Sequence, residues 1–91
     1  MFIELLRMFV ADNADAAVLA RAELLRGERT AAARRMHTLR SNAGFIGAMA
    51  LMEAATGLER AIDAGDDGLD ERLAALGQQI DALVEASAPW C

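Results

Sequence analysis

The chain reads as an all-α protein: an antiparallel up-down-up-down four-helix bundle with a short additional N-terminal helix. Two observations predict this. Apolar residues recur at spacings of three and four along nearly the whole sequence, with no strand-like alternation and no internal repeat. The composition is 55% hydrophobic but only 4% aromatic, with a single proline, so the core must come from Leu, Ile, Met and many alanines, which favour closely packed helices. At 91 residues, one modest core and one domain spanning 1–91 are expected.

The elements follow in order. Phe2, Leu5, Leu6 and Phe9 form a one-sided stripe that predicts a short helix over 1–11. Asp12 and Asn13 are candidate N-caps for a second helix, with a bend there between two nearly continuous segments. Its expected seam is Ala14, Val18, Ala22 and Leu25, and Gly27 is placed to end it. Thr30 is a candidate cap for a third helix running to about Ile46, with Ala32, Met36, Leu39, Ala43, Ile46 and Ala50 as its apolar set and Gly47 as the break. A fourth helix is expected from Ala48 to Ala64, buried through Leu51, Ala55, Leu58 and Ile62. Asp67 and Asp70 suggest a cap for the last helix, whose Leu69, Leu73, Leu76, Ile80 and Leu83 keep a heptad-like spacing. Pro89 prevents continuation and leaves 87–91 as a tail.

Charge narrows the function. A net charge of −5 argues against general nucleic-acid binding, which depends on neutralising phosphates. From Arg29 to Met52 there are four arginines and no acid, whereas the rest of the chain sets five arginines against fourteen acidic residues. One cationic patch therefore sits on an acidic protein. The lone Cys91 has no intramolecular partner, which fits a reducing, cytoplasmic setting, and the charged start is too short for a membrane span, so no direct membrane contact is expected. One histidine and one cysteine cannot make a usual transition-metal site, so no metal is assigned to this chain.

That histidine, His37, lies at the centre of the cationic patch. At about 100° per residue it falls roughly 130° from the middle of the third helix's apolar set, so it is expected at the surface. Its helical neighbours are Ala33, Arg34, Arg40 and Ser41, with Gly44 almost in line two turns on. A neutral imidazole nitrogen is a competent nucleophile near pH 7, and arginines supply fixed donors for a phosphoryl group once attached. Ala33, Ser41, Gly44 and Ala48 form a strip of small residues that another protein can approach, and Phe45 projects away from the core as a candidate docking residue. Met36, Met49 and Met52 are read as gap-fillers.

The run His37-Thr38-Leu39-Arg40-Ser41-Asn42-Ala43-Gly44-Phe45-Ile46-Gly47-Ala48 resembles the signature of histidine-containing phosphotransfer (HPt) domains of two-component phosphorelays, His-x-Leu-Lys-Gly-Ser-x-x-x-(apolar)-Gly-Ala. The resemblance extends to the Leu58-Glu59 pair and the leucine-rich last helix. It implies a phosphorelay intermediate without autonomous catalysis, either standing alone or as part of a hybrid sensor histidine kinase. It further implies that His37 accepts a phosphoryl group from a receiver-domain aspartyl phosphate and passes it to another receiver. Arg40, Arg34 and Ser41 would stabilise the phosphoryl group; Ala33, Ser41, Gly44, Phe45 and Ala48 would meet the receiver. Mg²⁺ would come from the receiver, and the partners would be receiver domains and a cognate sensor kinase, with the protein itself a monomer or weak associate. Arg40 stands where the family commonly has lysine and Ser41 where it has glycine. The alternatives are a helical adaptor bundle or a degenerate module. A kinase dimerisation hairpin fits less well, because Thr38 follows the histidine and no proline occurs before Pro89.

Overall fold

The computed structural model describes residues 2–87, and within them every regular element is a helix. They are α1 (Phe2–Asn13), α2 (Ala16–Leu25), α3 (Arg29–Phe45), α4 (Met49–Asp63) and α5 (Asp70–Ser87). Helices α2 and α4 each pack against both α3 and α5, which closes a four-helix bundle, while α1 lies against α3 and α5. The most extensive contact joins α3 to α4.

Each of the first three bundle helices ends in the same way. At the end of α3 the Gly47 amide donates to the Gly44 carbonyl at 3.1 Å and the Ala48 amide to Ala43 at 2.8 Å, with Gly47 at φ +78°. This closure needs a left-handed residue after the helix, which glycine adopts without penalty. Gly27 and Gly65 close α2 and α4 with the same pair of bonds, as the glycine positions predict.

The apolar periodicity locates the core in three of the helices. Ala32, Met36, Leu39 and Ala43 of α3 are wholly buried; Leu51, Ala55, Leu58 and Ile62 of α4 lie inside with them, as do Leu73, Leu76 and Ile80 of α5. Ile46 and Leu83 pack at the margin, and Ala50 is exposed on α4 instead of joining the α3 face. In α1, Leu6 and Phe9 are buried while Leu5 is 36% exposed. The Phe2 side chain and the tail from residue 88 onward fall outside what the structure describes.

The second helix departs from expectation. It buries Ala16, Ala20 and Glu23, and turns Val18 and Leu25 to solvent at 69% and 82% exposure. Glu23 explains the rotation: its carboxylate accepts a forked pair of hydrogen bonds from Arg35 of α3, Nε to Oε1 at 2.8 Å and Nη2 to Oε2 at 3.1 Å. A two-bond guanidinium–carboxylate contact has one geometry, and it fixes which face of α2 meets α3. The Arg35 guanidinium holds the Glu23 carboxyl below its ordinary range.

The expected caps are also displaced. Helix α1 continues to Asn13, whose buried Nδ2 donates to the Phe9 carbonyl at 2.9 Å, so the break falls at Ala14–Asp15 and neither Asp12 nor Asn13 opens α2. Thr30 lies inside α3, because the Gly27 closure delivers the chain into the helix at Arg29; Glu28 holds the flanking position without a side-chain bond to the amides of α3. Arg29 Nη2 then reaches the carbonyls of Ile62 and Asp66 at 2.9 and 3.1 Å, tying the start of α3 to the end of α4.

Candidate functional site

Because Met36 and Leu39 commit one side of α3 to the core, His37 emerges on the edge facing α4, with its side chain 56% exposed. Two charged groups converge on one ring atom. Nδ1 lies 3.1 Å from Oε2 of Glu59 and 2.9 Å from Nη2 of Arg40. Glu59 stands on α4 directly after the buried Leu58, so core packing delivers its carboxylate to the α3–α4 seam, where it is 18% exposed. Arg40 Nη1 also approaches Glu59 Oε1 at 3.6 Å, and the three side chains form one cluster.

The two contacts to Nδ1 require opposite proton placements. A protonated Nδ1 donates to Glu59, whereas an unprotonated one accepts from Arg40. In a neutral ring, the Glu59 arrangement leaves the lone pair on Nε2, where among the described residues no hydrogen bond consumes it. The Arg40 arrangement puts the proton on Nε2 and removes that nucleophile. A carboxylate that selects an imidazole tautomer through Nδ1 is a recurrent way to orient a reactive histidine.

The other expected site residues divide. Arg34, one turn before His37, is exposed, and no acid among the described residues pairs with it. Ser41 is exposed, but its hydroxyl donates to the His37 carbonyl at 3.2 Å, so its proton serves α3 and only its lone pairs face outward. Phe45 is 75% exposed and borders a shallow hollow shared with Leu5 and Met8 of α1. Ala33 and Ala48 are half-buried against the core, and a Cβ built on Gly44 would lie 3.1 Å from Sδ of Met52. Gly44 therefore serves the close approach of α3 and α4, and the three small residues offer less open strip than their spacing suggests. Glu59 is the residue that reading the sequence missed as a participant. Its signal was its place in the Leu58-Glu59 pair of the family resemblance, 22 positions from the histidine, a pair to which no role was given.

Among the described residues no group of histidine, cysteine and acidic side chains could hold a metal ion. No helix of the described residues is long and apolar enough to cross a membrane.

A family model described as "Hpt domain" matches residues 4–88, nearly the whole chain. The chain belongs to the Hpt domain family. No curated protein and no solved structure matches it. Membership gives this Hpt domain a phosphotransfer role in two-component signalling, and its helical bundle agrees with that family. His37, Arg40 and the start of α4 all fall inside the matched span.

Proposed function

We propose that this Hpt domain is a phosphorelay intermediate in which Nε2 of His37 attacks the aspartyl phosphate of a receiver domain and later yields the phosphoryl group to a second receiver, as a separate module or attached to a hybrid sensor histidine kinase. The observation that carries the reading is the exposed ring whose Nδ1 lies within hydrogen-bond reach of the Glu59 carboxylate, while among the described residues no hydrogen bond consumes Nε2. In the forward step the P–O bond to the aspartate breaks as the N–P bond forms, and the carboxylate of the receiver is the leaving group. Charge builds on the phosphoryl oxygens, and Arg40, with Arg34 behind it, is placed to offset that charge. The receiver supplies Mg²⁺ and most of the catalysis. Phe45 and Ser41 form the surface the receiver meets, with Ala33, Gly44 and Ala48 at its half-buried edge.

The up-down-up-down order belongs to the same reading. Only Arg26–Glu28 joins α2 to α3, and only Ile46–Ala48 joins α3 to α4. Three extended residues reach about 10 Å, less than half of a 15-residue helix at about 1.5 Å per residue, so neighbouring helices packed side by side must reverse direction.

The test is incubation with a phosphorylated receiver and Mg²⁺, followed by assay for acid-labile, alkali-stable phosphate on this protein. His37→Gln should melt with the wild type, since the ring is largely exposed, and should accept none. Transfer that persists in that variant refutes the assignment.

A further inference from the structure

The outward face of α2 carries three large apolar side chains that the bundle leaves exposed. On α2, Val18 and Leu25 share one row and Leu19 and Ala22 an adjacent one, which the flanking residues Asp15 and Arg26 extend at its two ends. Val18, Leu19 and Leu25 are 69%, 43% and 82% exposed. Arg21, which would interrupt the first row, turns aside to pair with Asp70 of α5 at 2.8 Å. The face lies away from the phosphotransfer site: α2 packs on the edge of α3 that carries Arg35, whereas His37 is on the edge that meets α4. Helical spacing of this kind suits another helix laid alongside it.

We propose that this face pairs with the same face of a second copy of the chain, the two α2 helices running antiparallel about a twofold axis. The charges decide the direction. Asp15 sits at the start of the row and Arg26 at its end, so an antiparallel pair sets Asp15 against Arg26 at both ends, with Leu19 opposite Ala22 between them. A parallel pair would set Asp15 against Asp15 and Arg26 against Arg26. The carboxylate of Asp15 is exposed and makes no cap bond to its own helix, and among the described residues no cation pairs with it. Among the described residues the Arg26 side chain bonds to Glu28, at 3.1 Å on the open surface, a contact that costs little to share. Small residues opposite large ones let the two backbones approach, as in close helix–helix packing.

The face spans only the 10 residues of α2 and their flanks. It offers less than the ~800 Å² per partner of a standard stable interface, so the contact belongs with small, transient ones. Two faces of this kind would join two modules while leaving both His37 rings open.

Sedimentation velocity from about 10 µM to about 1 mM tests the proposal, a range that reaches weak association. The wild type should shift from monomer towards dimer across it. Val18→Asp, at an exposed position that cannot disturb the core, should weaken association at least tenfold. Asp15→Arg and Arg26→Asp should each do the same, and the double exchange should restore the wild-type constant, which general stickiness would not do. A wild type that stays monomeric throughout, dimers indifferent to Val18→Asp, or a double exchange that fails to restore pairing would each overturn it.

Discussion

Replacing Glu59 with glutamine isolates the least expected member of the site. Glutamine keeps the shape and the hydrogen-bonding capacity but removes the charge, so the fold should be undisturbed at a side chain 18% exposed. The contest for Nδ1 would change. With the carboxylate 3.1 Å away, a proton on Nδ1 is favoured; without that charge, the Arg40 nitrogen at 2.9 Å is the better partner and the proton moves to Nε2. A hydrogen bond to a charged group contributes about 1.5–3 kcal/mol, and the exposure of this ring argues for the lower end. At about 1.4 kcal/mol per decade, the fraction of ring with a free Nε2 should fall roughly tenfold, and the rate of phosphoryl acceptance with it. Two measurements check this together: the initial rate of transfer from a phosphorylated receiver, and the ¹⁵N shifts of the His37 ring, which report the tautomer. A variant with an unchanged rate and an unchanged tautomer would show that Glu59 is only a neighbour, and the account of the site would fail.

Two further predictions concern the frame. Arg35→Met should strand the Glu23 carboxylate, 11% exposed, without its forked partner and lower stability by about 1–3 kcal/mol in urea unfolding at pH 7. Because Arg35 holds the Glu23 carboxyl below the ordinary carboxylate range, the pair's contribution is present above that range and lost as pH falls through the depressed value; the gap between wild type and variant should therefore close in acid. Gly47→Ala places a Cβ at φ +78°, where there is space but the backbone is strained, and should cost about 1–2 kcal/mol in thermal or denaturant melts.

Most of the frame was legible because it depends on local signals. Three-four spacing of large apolar residues identified the buried faces of α3, α4 and α5, and glycines marked the ends of α2, α3 and α4. The exposure of His37 followed from the same arithmetic applied to one helix. Capping was less legible: Asn13 has the right side chain for an N-cap, but it is turned inward and bonds to Phe9. Small residues near the histidine were ambiguous as well, since Ala33, Gly44 and Ala48 look the same whether they clear a path for a partner or for α4.

By itself the sequence determined the helix count, the composition of the core and the placement of one histidine among arginines on an outward helix edge, since each rests on residues within a few turns of one another. Only the tertiary structure decided which side of α2 faces inward and which acid meets the histidine. The segment Ala16–Leu25 is apolar on most sides, so its periodicity cannot choose a face, and the forked bond between Glu23 and Arg35 chooses it. Glu59 reaches Nδ1 only because Leu58 is buried where α4 crosses α3, and a contact between separate helices leaves no periodic trace along the chain.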